Sequence, residues 1–103
     1  MNPSGVTLKL RSYICKTFFD LTLYYVYILQ SEKDGRFYKE MTSNLHLRLE
    51  QHNSGKNKST KGFLPWSMVY HEVFETRLEA RKREKYFKSG IGRQYLKNLL
   101  ENK

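Results

Sequence analysis

Arg48 and His52 lie four residues apart on a segment whose apolar stripe is marked by Leu45 and Leu49. If that segment is helical, both polar groups fall on or beside the inward face. A guanidinium and an imidazole one turn apart suit a phosphate oxygen. The first offers several donors in a fixed fork, and the second can donate or shuttle a proton. The plainer alternative is an arginine that reaches solvent along its stem and a hydrogen-bonded boundary histidine.

Glu84 poses the same question in a second segment, where Ala80, Glu84 and Phe87 share one helical stripe. A carboxylate on an apolar stripe is rare unless it is paired or bound to a metal. It could hold Mg²⁺, which takes few protein carboxylates and keeps several waters. It could equally form an ion pair with Arg48 or Arg81. Tyr25 and Tyr27 share one face of a strand by alternation, and Tyr38 lies across a turn from them. Tyrosine hydroxyls beside a metal can orient or deprotonate a water, whereas the same rings as mere cross-strand packing would be ordinary.

Basic residues gather in two further places. Lys56, Lys58 and Lys61 occupy a polar stretch, and Arg81, Lys82, Lys85 and Lys88 lie on the helix that carries Glu84. With Glu84 turned inward these helix cations point outward, as a surface for backbone phosphates or as a solvated face.

The elements that must position these groups can be read from pattern and punctuation. Leu23 to Leu29 is aromatic and β-branched, and Arg36 to Met41 reads as a second strand. Asp34-Gly35 between them predicts a hairpin turn. Thr42-Ser43-Asn44 supplies capping chemistry for a short helix from Leu45 to His52, which Asn53-Ser54-Gly55 ends. Pro65 and Trp66 lead into a third strand, Ser67 to Phe74. Thr76 and Glu79 fit a capping box for a helix from Arg77 to about Lys88. Ser89-Gly90-Ile91-Gly92 then reads as a break before a last helix over 93–100. The expected fold is α+β, a small three-stranded antiparallel sheet flanked by helices, in the order β-β-α-β-α-α.

Length, composition and charge set the frame. The 103 residues allow one domain, and 39% hydrophobic with 15% aromatic residues is too apolar for a disordered basic tail. The net charge of +9 is concentrated after Glu75, and it favours an anionic partner, nucleic acid before a membrane surface. Residues 1–22 read as a flexible or loosely docked arm, and residues 23–103 as the single domain. Lys16 and Asp20 interrupt the apolar stretch from Tyr13 to Leu29 and argue against a spanning helix. The lone Cys15 forms no internal disulfide and suggests a reducing, cytoplasmic setting. No obligate protein partner is evident, and the expected state is a monomer or weak dimer.

The ordered segments resemble the GIY-YIG nuclease superfamily, in particular its short single-domain bacterial members, the UPF0213-like group. Tyr25-Val26-Tyr27-Ile28-Leu29 resembles the first motif. Phe37 to Leu45 resembles the second motif and the helix start, and Arg48-Leu49-x-x-His52-Asn53 the helix signature. Lys58 to Gly62, with Pro65-Trp66, resembles the loop before the third strand. Glu79 to Lys85 resembles the helix that bears the metal-binding glutamate. The resemblance implies a DNA endonuclease that uses Mg²⁺ (or Mn²⁺) at a single-metal site. Tyr27 would assist the water and Tyr38 orient the nucleophile or phosphate. Arg48 would stabilise phosphate charge, His52 transfer a proton or bind phosphate, and Glu84 hold the metal.

The second motif departs from the pattern. It reads Tyr38-Lys39-Glu40 where the family has tyrosine-isoleucine-glycine. Glu40 places a carboxylate beside a phosphate site, where it can repel DNA, capture metal or pair with Arg48. Lys39 replaces an apolar strand residue. The alternatives are therefore a catalytically degenerate nucleic-acid-binding domain and, further off, a protein-interaction module.

Overall fold

A computed structural model of the chain describes residues 22–101. Nearly all of the expected N-terminal arm lies outside the described residues. Strand β1 (Tyr24–Ser31) and strand β2 (Phe37–Thr42) form the expected hairpin. Gly35 adopts φ +80 in the turn, a conformation that lacks a penalty only for glycine. The Asp34 carboxylate accepts from the Arg36 backbone amide at 3.1 Å and fixes the turn exit.

Helix α1 (Leu45–Asn53) begins at Asn44, whose side chain accepts from the Leu47 amide at 3.0 Å. A short 3₁₀ turn at Lys61–Phe63 precedes strand β3 (Trp66–Phe74). Helix α2 (Arg77–Lys88) starts at Thr76, which caps the Glu79 amide at 3.1 Å. The Glu79 carboxylate reaches back and accepts from the Thr76 hydroxyl at 3.2 Å. Helix α3 (Gly90–Glu101) completes the described chain. Element order and class are those expected from the sequence.

One boundary differs. The segment Ser89 to Gly92 does not separate two helices by a loop, because α3 is already helical at Gly90. Ser89 is the pivot: its backbone is extended and its hydroxyl accepts from the Gly92 amide at 3.1 Å. Gly92 is there for space. A Cβ on it would lie 1.8 Å from the Tyr86 carbonyl oxygen, so only a glycine lets α3 fold this closely against the end of α2.

The sheet order is β2-β1-β3, with both outer strands antiparallel to β1. Strand alternation then sends neighbouring β1 residues to opposite faces. Tyr27 and Leu29 point to a front face, where Trp66, Leu45 and Leu49 join them under α1. Val26 and Ile28 point to a back face and pack with Ala80, Phe87 and Leu96 of α2 and α3. Each fully buried large apolar side chain contributes about 1.5–3 kcal/mol relative to exposure. The central strand is therefore committed to two cores, which fixes its register.

Candidate active site

The register of the hairpin decides which side chains meet. Tyr27 on β1 stands opposite Glu40 on β2, and Leu29 stands opposite Tyr38. All four side chains belong to the front face. Helix α1 lies over this face and brings Arg48 and His52 down onto it.

The result is a continuous chain of hydrogen bonds. The Tyr27 hydroxyl donates to Glu40 Oε1. Arg48 donates to both oxygens of the same carboxylate, from Nε at 3.0 Å and from a terminal nitrogen at 3.3 Å. Its other terminal nitrogen is used by Gln51 at 2.9 Å. His52 is fully buried, with Nε2 at 2.9 Å from the Tyr27 oxygen and Nδ1 at 2.9 Å from the Thr60 hydroxyl. The single proton of Tyr27 goes to Glu40, so His52 Nε2 carries the proton in the bond to Tyr27. Thr60 then donates to Nδ1. Thr60, His52 and Tyr27 form a relay of donors that ends, as Arg48 does, on the Glu40 carboxylate.

The electrostatics follow from burial and this shared acceptor. Burial, reinforced by the bond to Glu40, pushes the Tyr27 phenol far above its ordinary value. His52 is held below the usual imidazole value, first by burial and then by the Arg48 charge. For Glu40 burial acts upward, but the bonds from Arg48 and Tyr27 outweigh it and hold the carboxyl below its usual range. The bond to Glu40 raises Arg48. The ground state is a neutral tyrosine, a neutral histidine and a tight Arg48–Glu40 ion pair.

Tyr38 packs on the same front-face cluster as Tyr27. Its ring meets His52 edge-on at 5.0 Å and leans on Trp66 at 6.1 Å. Trp66 in turn donates its indole N–H to the Thr60 carbonyl at 2.9 Å. Asn53 clamps the same strand end, since its side chain accepts from the Trp66 amide at 2.7 Å and donates to the Trp66 carbonyl at 3.0 Å. These contacts hold the Thr60 loop against His52. Pattern reading missed Thr60 because it sits in a lysine-bearing loop with no periodicity to mark it.

Glu84 stands apart from this group. It is buried, as its stripe implies, but on α2 and thus behind the sheet. Its carboxylate accepts from Lys88 Nζ at 3.0 Å and lies 3.8 Å from Arg81 Nε. Of the two pairings open from the sequence, the one with Arg81 is present at this longer distance. Arg48 is instead bound to Glu40. Lys56, Lys58, Lys61, Arg81, Lys82, Lys85 and Lys88 are all exposed.

The setting of Glu84 tests whether a divalent cation fits. Mg²⁺ needs oxygen ligands and room for its waters. Here both carboxylate oxygens face cationic side chains. Among the described residues no group of three His, Cys, Asp or Glu side chains is placed to hold a metal ion. Lys39 adds a further cation on the same side of the sheet, opposite Ile28. The donor set as folded does not fit a divalent cation.

Known proteins are similar to this chain over most of the described residues. The GIY-YIG catalytic domain family matches residues 23–97. A UPF0213 protein of Bacillus licheniformis is 40% identical over 81 residues, covering 78% of this chain and 81% of its own. A UPF0213 protein of Clostridium perfringens is 46% identical over 65 residues, covering 62% of this chain and 69% of its own. A UPF0213 protein of Bacillus halodurans, solved by solution NMR, is 34% identical, with 75% of this chain and 84% of that chain covered and a TM-score of 0.47. Among the described residues no helix is long and apolar enough to cross a membrane. The matched span takes in both tyrosine strands, the arginine–histidine helix and the glutamate helix, and the chain belongs to the GIY-YIG family of nuclease-type catalytic domains.

Proposed function

We propose that this chain binds DNA through its exposed cations while Glu40 holds its nuclease-type site closed, so that the wild-type protein binds without cleaving. The observation that carries this reading is the carboxylate of Glu40, which accepts from Tyr27 and twice from Arg48. A phosphate oxygen would use the same donors, since guanidinium and hydroxyl groups serve carboxylate and phosphate alike. Glu40 is in effect an internal substitute for a substrate phosphate. It also places a fixed negative charge where an incoming phosphate would have to sit. DNA is then held by exposed cations of the loop and of α2, through contacts that carry no base specificity.

The competing reading is the Mg²⁺-dependent endonuclease implied by the resemblance, with Glu84 as the metal ligand. It is favoured by the gathering of Tyr27, Tyr38, Arg48 and His52 on one face and by the burial of Glu84. It requires Lys88 to leave Glu84 and Glu40 to leave Arg48. A protein-interaction module, the third reading, has no specific contact in its favour among the described residues.

Two assays on the wild-type protein separate these. Duplex binding should be salt-sensitive, with supercoiled plasmid left intact in Mg²⁺ or Mn²⁺ at concentrations that saturate binding. Nicking that disappears in Glu84→Ala would establish the endonuclease reading. No binding at low salt, where backbone contacts are strongest, would leave the protein-interaction module.

A further inference from the structure

Arg36 and Phe63 meet where the β1–β2 turn rests on the 3₁₀ turn before β3. Three bonds join the two turns. Ser31 Oγ donates to the Phe63 carbonyl at 2.7 Å, the Glu32 amide to the Pro65 carbonyl at 2.9 Å, and Lys33 Nζ to the Gly62 carbonyl at 3.3 Å. On this base the Arg36 guanidinium carbon lies over the Phe63 ring, 3.6 Å from its centre. At that separation the two planes must run parallel, because a nitrogen turned toward the ring would collide with it. Arg36 Nε donates to the Asp34 carboxylate at 2.9 Å, a bond made in the guanidinium plane. One face is thus covered by a ring and one edge by a carboxylate, while 53% of the side chain stays exposed. Arg83 is arranged in the opposite way. The rings of Tyr86, Phe87 and Tyr95 stand within 5.5 Å of it, and it donates to both oxygens of Glu72. Among the described residues the Arg36 side chain has no second ring and no second acceptor, so its outer face is open to solvent.

We propose that the outer face of the Arg36 guanidinium, backed by Phe63, is a stacking platform for an unpaired nucleobase of a nucleic-acid strand. Arginine planes stack on flat π-systems, and splayed-out bases are held on them in this way. A base within a duplex is already stacked on both sides and has no face to give. Phosphates flanking the stacked base meet a positive surround, since Lys33 and Lys61 are exposed on the two turns that carry the platform. Lys33 spends only one of its three donors on Gly62. The platform also continues inward as a row of rings. Phe63 meets Trp66 edge-on at 6.4 Å, Trp66 lies 6.1 Å from Tyr38, and Tyr38 lies 5.0 Å from His52. A strand anchored at Arg36 is thereby held on the side of the front face that leads to the nuclease-type site. The platform rests on nucleic acid as the partner, as proposed above, and adds to it a preference for unpaired bases.

Two strands of equal length test the platform on the full chain: an oligothymidylate and an abasic strand, which carry the same phosphates and differ only in their bases. Wild type should bind the thymidylate about fivefold more tightly, or better, at a fixed salt concentration. The thymidylate should also produce ring-current shifts at the Arg36 Nε–H and the Phe63 ring in NMR spectra, which the abasic strand should not. Arg36→Lys keeps the charge and removes the plane. It should bring the two strands to equal affinity while leaving the salt slope for the abasic strand unchanged. Equal affinities in wild type, or a preference that survives Arg36→Lys, overturn the platform whatever the protein does with duplex DNA. Ring-current shifts centred away from Arg36 overturn it as well. Wild type that shows the base preference, loses it in Arg36→Lys and binds no duplex at low salt supports the platform and contradicts the duplex binding proposed above instead.

Discussion

The two faces of the sheet use the same central strand in opposite ways. Behind it, Val26 and Ile28 meet Ala80, Phe87 and Leu96 in a largely apolar core. In front, Tyr27 is equally buried but spends its hydroxyl on Glu40 and His52. The back face is held mainly by area removed from water, supplemented by Arg83, which donates to both oxygens of Glu72 at 2.8 and 3.1 Å. The front face is held by a linear relay in which each donor has one assigned acceptor, so removing a member leaves a buried polar group without a partner. Strand β2 then feeds adjacent residues to both sides. Glu40 closes the relay in front, and Lys39 faces the back, opposite Ile28. The two neighbouring residues that depart from the family motif thus lie on opposite faces of the sheet, because alternation separates them.

The contrast can be broken most heavily from behind. Phe87→Ala removes a fully buried ring from the back core and should cost about 3–5 kcal/mol. A urea melt measures this, and a loss under about 1 kcal/mol would mean that the back face is not the stabilising one.

The front face should respond in kind rather than only in size. Glu40→Ala should destabilise the fold by about 1–3 kcal/mol, because Arg48 and Tyr27 lose a common acceptor. The same change should strengthen duplex binding, since it frees a guanidinium and removes a carboxylate. Arg48→Ala should then change DNA affinity little in wild type, where Arg48 is occupied, and reduce it several-fold in the Glu40→Ala background. This coupling is what a double-mutant cycle reports. Equal effects in both backgrounds would show that Glu40 does not occupy Arg48 in solution.

Titration between pH 8 and pH 3 reports on the relay through His52 and Glu40, both held below their ordinary values. His52 lies below its ordinary value in the folded chain, so the unfolded chain takes the proton first. Stability should fall as pH drops below about 6.5. Glu40 is also depressed, so its contribution is present above about 4.3 and is lost as pH falls further through the folded value. Urea midpoints from pH 8 to pH 3 should therefore decline in two stages, with the acid stage reduced in Glu40→Gln. A single stage unaffected by that variant would contradict the relay. The smallest effect belongs to a helix end remote from the relay. Thr76→Ala removes the α2 cap for about 1 kcal/mol and should leave DNA affinity unchanged at constant folded fraction.

Much of the fold was legible because the signals were local. Asp34-Gly35 marked the turn, Asn44 and Thr76 marked helix starts, and alternation assigned the tyrosine strands. The α3 start was not, because Gly90 and Gly92 read as breakers until the close approach of the Tyr86 carbonyl is known. The candidate site was legible in its members more than in its wiring. Arg48, His52 and Glu84 stood out against apolar stripes, yet which acid paired with which base depended on the two faces of the sheet. Thr60 carried no pattern at all, and its place beside His52 follows from the loop that Asn53 and Trp66 clamp.

The central claim is that Glu40 and Lys39 keep a nuclease-type site from acting, and plasmid nicking by the Lys39→Ile, Glu40→Gly double variant in Mg²⁺ tests it most directly. The expected result is binding without nicking by wild type, nicking by the double variant, and loss of that nicking when Arg48→Ala is added. Nicking by wild type that is abolished by Arg48→Ala would contradict the account.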